Sequence, residues 1–253
     1  MLSRRRWLHG SAAGAAWLAA GPMRIEAQPR AERERAPLDP EVHAVFTDAL
    51  ARGRALREGR LAPTEWQDQM PALLTRVTVD AIARALDLPR LRRRARTVAR
   101  GCATLALPYP TELGGDEGAA MRVFFFEAGR TDPPHVHFNS VTTHLVLEGR
   151  FQVRHWDRLR EASGDERRAA FVLRETHDRT IGPGESTSIS EPRDNGHWHR
   201  CLARGVLLDI EQGRLDPSIP PRNRQMIDLS AATREGEFVA PAITNALALR
   251  RYG

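Results

Sequence analysis

Gly129-Arg130-Thr131-Asp132-Pro133-Pro134-His135-Val136-His137 is the stretch on which the fold reading turns. The histidine pair sits in a segment entered through Pro133-Pro134 and followed by a strand pattern. In an extended chain, residues i and i+2 face the same side, with Cα atoms about 6.6 Å apart. Two imidazoles so placed can converge on one ion at about 2.0–2.1 Å. A His-x-His pair is weak evidence alone, and its surroundings add weight. Gly129 precedes it by a five-residue gap, and Glu148-Gly149 follows at a turn between two apolar stretches.

Working outward, the chain of 253 residues holds nine histidines. Seven of them (His135, His137, His144, His155, His177, His197 and His199) fall between positions 135 and 199. Histidine is the commonest metal ligand and a proton carrier near neutral pH, so this clustering marks the chemistry. His144 follows Thr142 by two residues and shares its side of the strand. It reads as a direct ligand, as an acid–base group beside the metal, or as a hydrogen-bonded core histidine. His197 and His199 share one face and compete for the place of third ligand. His155 and His177 lie further from the motif and read as structural or surface positions. Cys102 and Cys201 make no metal motif; they form either a disulfide or two buried thiols. Glu127, Glu148 and Glu185 fall at strand ends or turns, where solvation accounts for them.

The pattern before residue 100 is helical. Val42, Val45, Phe46 and Ala49 follow the i, i+3, i+4, i+7 rule. Pro63-Thr64-Glu65 starts a second helix, Thr78 caps a third over 79–88, and Pro89 opens a fourth with Leu91, Ala95 and Val98 inward. The arginines of that fourth segment read as a solvated face. After Pro108 the texture changes to short strands broken by Gly, Pro and Asp: 104–107, 121–128, 141–147, 151–156, 170–176, 186–190, 197–202, 206–211 and 225–229. Many strands at regular spacing imply a sandwich or barrel. The chain ends in a short helix over 242–251. These readings divide it into a helical subdomain (40–100), a β-barrel (101–230) and a C-terminal extension (231–253), after a linker at 28–39.

All 38 basic residues are arginine. The absence of lysine excludes Schiff-base chemistry and any lysine-dependent phosphate loop. Ser3-Arg4-Arg5-Arg6-Trp7-Leu8 and the small-residue stretch behind it resemble a twin-arginine export signal over 1–27. Its removal takes away Arg4, Arg5, Arg6, Arg24 and Glu26 and lowers the formal charge from +6 to about +3. No aromatic residues interleave with the arginines, so no nucleic-acid partner is expected. The apolar stretch is also too short for an integral membrane span. The expected location is periplasmic or otherwise exported.

Gly129, His135-x-His137 and Gly149 together resemble the first motif of the cupin superfamily. Gly182-Pro183-Gly184 and Asp194-Asn195-Gly196-His197-Trp198 resemble its second motif, in the form seen in the thiol dioxygenase branch. The resemblance spans about residues 104–211. It implies a mainly β fold, a cupin jelly-roll β-barrel carrying the N-terminal helical subdomain, with a metal on inward-facing strand residues. It implies His135, His137 and His197 as ligands, with the Asn195-x-His197 match favouring His197 over His199. Where many cupins carry a glutamate ligand, this chain has Thr142, which leaves a neutral three-histidine face. Such a face implies Fe(II), with Mn, Zn or Ni as alternatives, open to an anionic substrate and O₂. A chain exported already folded would also keep a weakly bound metal from competition with Cu and Zn.

The activity expected on this footing is oxidation of a small thiol towards a sulfinate. His144 or His199 would orient substrate or oxygen, and Arg154 or Arg122 would meet a substrate carboxylate. The cysteine and crosslinked tyrosine of one subfamily have no counterpart, which argues against cysteine itself as substrate. The rival readings are a cupin oxygenase or hydrolase acting on another chelating substrate, and a non-catalytic metal- or ligand-binding cupin. Cupins often pair through edge strands, so a homodimer is also an expectation.

Overall fold

The computed structural model describes residues 38–162, 169–219, 224–232 and 236–253. The signal-like segment and nearly all of the linker fall outside them. Four helices come first: α1 (Pro40–Arg57), α2 (Pro63–Leu74), α3 (Val79–Ala85) and α4 (Leu88–Arg94). Each start has a local cause. The Asp39 carboxylate accepts from the Glu41 N–H, Glu65 reaches back to the Ala62 N–H, and Thr78 Oγ1 accepts from the Ala81 N–H. On α1 the buried positions Val42, Val45, Phe46, Ala49 and Leu56 keep the helical period.

The fourth helix is shorter than the sequence suggests. It ends at Arg94, Ala95 is extended, and Val98 is exposed rather than inward. Its last turn already holds Arg92, Arg93 and Arg94, with Arg90 one turn before Arg94, and continuing would add Arg96 over Arg92. Like charges at i, i+4 oppose helix extension.

Eleven strands follow among the described residues, with one short helix, α5 (Tyr109–Glu112), between the first two. They are β1 (Ala103–Ala106), β2 (Ala119–Phe126), β3 (Thr131–His137), β4 (Ser140–Glu148), β5 (Phe151–Glu161) and β6 (Ala170–Ile181). Then come β7 (Ser186–Ile189), β8 (Gly196–Cys201), β9 (Gly205–Gly213), β10 (Arg224–Met226) and β11 (Glu237–Pro241), and α6 (Asn245–Tyr252) closes the chain. One sheet has the order β1-β2-β9-β4-β7 and the other β10-β3-β8-β5-β6-β11. The pairs β2·β9, β3·β8, β4·β7 and β5·β6 are all antiparallel and nest inside one another in the chain. A ribbon folded double at the β5–β6 hairpin and then rolled gives this order, which is that of a jelly roll.

Each sheet has one face inside the barrel and one outside. The helices cover the outer face of the five-stranded sheet, where Val42, Phe46, Trp66, Met70 and Ile82 join Met121, Val123, Leu145, Leu208 and Ile210 in one core. The outer face of the six-stranded sheet is covered by the C-terminal residues: Ile227, Phe238 and Ala240 pack on Val136, Trp156, Phe171 and Leu173. Strand β11 (Glu237–Pro241) is hydrogen-bonded to β6. Gly149 turns β4 into β5 with φ +81, and a Cβ there would lie 2.5 Å from the Arg204 carbonyl oxygen. Only glycine fits that corner.

Candidate metal centre

Strand register assembles the site. Between Asp132 and His135 the β3·β8 pairing slips, at the two prolines that have no N–H to give to a ladder. Beyond the slip His135 stands opposite His197, and before it Asp132 stands opposite His199. Cross-strand partners on one face have Cβ atoms about 4.5–5.5 Å apart. His137 joins from two residues along β3, and its ring lies 5.0 Å from that of His197. The His135 and His197 rings are 4.3 Å apart. From the facing sheet, β4 contributes His144, 5.1 Å from His197 and 4.6 Å from His199 between ring centroids.

Two sets of three ligand atoms result, and in each the atoms lie within 4.8 Å of one another: His135, His137 and His197, and His144, His197 and His199. All five residues are buried, and His197 belongs to both sets. The geometry places His197, rather than His199, beside the His-x-His pair.

The nitrogens are poised as ligands. His135 Nδ1 lies 2.7 Å from the Pro133 carbonyl oxygen, which only accepts, so Nδ1 carries the proton and Nε2 keeps a lone pair. His137 Nδ1 is 3.3 Å from Ser140 Oγ, and its Nε2 is buried without a partner. His144 Nδ1 and both nitrogens of His197 and of His199 are likewise buried and unpartnered. A buried polar group left unpaired costs about 1–3 kcal/mol. A divalent cation satisfies several such lone pairs at once, so the donor set fits a metal ion.

Electrostatics keeps the rings neutral, as ligation requires. Burial drives His135, His137 and His197 well below the usual imidazole range. Arg224 adds to this at His135, His135 at His137, and His135 and His199 at His197. Burial lowers His144 to about 4, with Arg122 assisting and Asp132 opposing, and lowers His199 to about 3, with His144 assisting.

Thr142 points inward, as alternation along β4 requires, and donates to Asp209 Oδ1 at 2.6 Å. Asp209 also lies 3.4 Å from His144 Nε2 and pairs with Arg122 at 2.7 Å. Arg122 binds Glu211 as well, at 2.5 Å. Burial works against the Arg122 charge, but Glu211 and Asp209 outweigh it and hold the guanidinium protonated. Burial raises Asp209, against the pull of Arg122. Arg122 thus faces the barrel interior.

Arg154, the other arginine expected at the substrate, does not. Val153 and His155 point inward on β5, so Arg154 points out, where it pairs with Glu175, lies 3.7 Å from Asp178 and stacks over Trp156. The strand does not bring it to the histidines. Cys102 and Cys201 are free thiols, not a disulfide; burial pushes Cys201 up to about 11.

Residues unremarkable in the sequence also lie beside the site. Arg224 stands opposite His137 on the edge strand β10 and lies 3.7 Å from Asp132. Asp132 Oδ2 is 4.0 Å from His197 Nε2. His155, expected to be structural or at the surface, is buried on the inner face of β5, its ring 6.2 Å from that of His197. The strict alternation Phe151, Val153, His155 is the signal that could have found it.

No family model and no curated sequence matches the chain. Among solved structures it is similar to KdgF from Halomonas sp., with 16% identity over 49% of this chain and 90% of that one, at a TM-score of 0.34. It is also similar to an oxalate oxidase, with 22% identity over 48% of this chain and 55% of that one, at a TM-score of 0.34. A third is an RmlC-like cupin protein from Desulfovibrio desulfuricans, with 16% identity over 46% of this chain and 87% of that one, at a TM-score of 0.32. The chain spans about half the length of the oxalate oxidase. In its own right it places a group of buried histidines, able to hold a metal ion, inside a jelly-roll barrel.

Proposed function

We propose that the chain is a metal-dependent cupin oxygenase with a three-histidine Fe(II) centre that oxidises a small thiol with O₂. The observation carrying this reading is a set of buried, neutral imidazoles, most of them with unpartnered ring nitrogens, with Thr142 where a carboxylate ligand would otherwise complete the set. His135, His137 and His197 would hold the ion, which when bound supplies Lewis acidity and one-electron chemistry with O₂.

The remaining roles belong to the chain. Three neutral ligands leave the ion's two positive charges uncompensated, so the site favours an anionic ligand such as a thiolate. His144, held beside Asp209, and His199 face the same space and orient what binds there. Burial keeps both rings neutral and opposes their protonation, so they serve as hydrogen-bonding groups that orient the bound ligand rather than as acceptors of its proton. Arg122 is already paired with two carboxylates. Arg224, opposite His137 and itself 3.7 Å from Asp132, lies nearer the three histidines and is the cation assigned to a substrate carboxylate. The overall reaction adds both oxygen atoms to sulfur, RS⁻ + O₂ → RSO₂⁻, and needs no further reductant.

Export through the twin-arginine signal belongs to the same proposal and rests on Arg4-Arg5-Arg6-Trp7-Leu8 alone. Among the described residues no helix is long and apolar enough to cross a membrane.

The test is anaerobic purification of the signal-bearing chain, followed by metal analysis and O₂ uptake over a panel of small thiols. The expected result is stoichiometric iron, lost in His135→Ala/His137→Ala, and thiol-dependent uptake of one O₂ per thiol. Zinc in place of iron with no uptake on any thiol would overturn the oxygenase reading. Iron retained at wild-type stoichiometry in the double variant would overturn the site.

A further inference from the structure

We propose that His155, His177 and Asp194 form a second divalent-cation site, separate from the three-histidine centre and sharing no residue with it. His155 on β5 stands directly opposite His177 on β6, so their side chains leave the sheet on the same face. Asp194 comes from the turn before β8, in a left-handed conformation with φ +55. One ligand atom from each of the three lies within 4.8 Å of the other two.

Three features distinguish this from an ordinary histidine–aspartate hydrogen bond. First, Asp194 Oδ1 is 3.9 Å from His155 Nδ1 and 3.7 Å from His177 Nε2. Both distances exceed the 2.7–3.2 Å range of a hydrogen bond. They are close to the edge of a tetrahedron of ligands around zinc, about 3.4 Å for metal–ligand bonds near 2.05 Å. Second, His155 is 3% exposed and its Nδ1 is buried without a partner. Its Nε2 lies 2.7 Å from Thr187 Oγ1. With the Nε2 proton donated to Thr187, the Nδ1 lone pair faces Asp194 and His177, which is the tautomer a metal needs. Burial, reinforced by neighbouring histidines, keeps this ring neutral.

Third, the carboxylate is held from behind. Gln67, a buried residue of α2, donates to Asp194 Oδ2 at 2.9 Å, Thr176 Oγ1 donates to Oδ1, and the Asp194 N–H donates to Asp157 at 2.8 Å. Gln67 is in turn fixed by donating to the Ser188 carbonyl at 2.9 Å and accepting from Ser190 Oγ at 2.7 Å. The helical subdomain therefore reaches through to orient a ligand in the barrel. His177 is half-exposed, so the fourth position is open to water. Two imidazoles, one carboxylate and an open position suit a borderline cation of the Zn(II) class.

This proposal does not depend on the oxygenase reading. Full-length protein is stripped with a chelator and titrated with Zn(II), with bound metal counted after gel filtration. Wild type is expected to bind two equivalents and His177→Ala one, with an unchanged melt for the apoprotein because His177 is at the surface. His135→Ala/His137→Ala should also bind one, and the combined triple variant none. Gln67→Ala should weaken only the second equivalent, by about 10–100-fold, as the loss of a group that orients a ligand does. Co(II) in the His135→Ala/His137→Ala variant should give the intense visible bands of a four-coordinate ion. A wild type that binds one equivalent or none, or two equivalents that both survive in His177→Ala and in Asp194→Asn, overturns the second site.

Discussion

The two halves of the barrel interior are both largely buried and are built on the same strands, yet they differ in kind. At one end Phe124, Phe126, Val146, Phe151, Val153, Ile181, Cys201 and Leu207 pack together, with Phe126 edge-on to Phe151 at 5.2 Å. At the other end the same strands carry Arg122, Thr142, His144, His155, His197, His199, Asp209 and Glu211. On β5 the inward positions run Phe151, Val153, His155; on β9 they run Leu207, Asp209, Glu211; on β4 they run Thr142, His144, Val146. Burial alone does not separate a core from a site. The separating feature is that the apolar end completes its interactions by packing, while the histidine end has unanswered nitrogens and needs something from outside the chain.

Acid should break this comparison most forcefully. In the metal-free protein His144 sits at about 4 and His199 at about 3, whereas both titrate near 6.5 when unfolded. Below pH 6.5 the unfolded chain binds protons that the folded chain refuses. Stability therefore falls with falling pH down to the folded values, by up to roughly 1.4 kcal/mol per pH unit for each histidine. Urea midpoints of the apoprotein at pH 7, 6 and 5 should drop steeply, and His199→Ala should flatten the curve. A flat profile in the wild type would mean that the histidine end is open to water. Bound metal should oppose the loss, because ligation occupies the lone pairs that protons would take.

Next in size is truncation at the apolar end. Phe151→Ala should cost about 3–5 kcal/mol, because the closed barrel cannot collapse onto the void. In the metal-free state His199→Ala should cost under about 1 kcal/mol at pH 7, since it removes a polar group with no partner. Denaturant curves on the two variants measure the contrast. Equal costs would show that the imidazoles are packed as core residues.

Between these lies the pivot of the polar end. Arg122→Met leaves Asp209 and Glu211 buried together without their cation and should cost about 3 kcal/mol at pH 7. Adding Asp209→Asn should restore part of that, because a neutral amide needs no counter-charge. If the single variant is no less stable than wild type, the two carboxylates already have another cation.

Much of this was legible in the sequence, and what was missed has physical reasons. The i, i+2 spacing of His135 and His137 survives in the structure because a strand of period two has no other way to place them. The same rule puts Thr142 and His144 on the inner side of β4. The sequence could not rank His197 above His199 without the resemblance, because both lie on one face of β8. What separates them is the slip at Pro133-Pro134, a feature of pairing between strands over sixty residues apart. Strand β11 was missed since Glu237–Pro241 alternates weakly and is short. Its reason for being a strand is the open hydrogen-bonding edge of β6, which the sequence does not show. His155 is masked in the sequence by its neighbours Arg154 and Trp156, which belong to the other face of the sheet.

The smallest expected effect tests that facing directly. Arg154 lies on the outer surface of β5, one residue from His155, with its guanidinium on Glu175 and near Asp178 and its plane over Trp156. Charges shared between such partly exposed groups contribute little, and Arg154→Ala should cost about 1 kcal/mol or less. Some of that cost is packing lost over Trp156, so Arg154→Met should recover part of it. Neither change removes anything from the barrel interior. Metal content and the KM for a carboxylate-bearing thiol should therefore stay at wild-type values in both variants, while Arg224→Met should raise that KM. A raised KM in Arg154→Ala with Arg224→Met unaffected would reverse the assignment, and would mean that β5 turns its faces the other way around at the bulge next to His155.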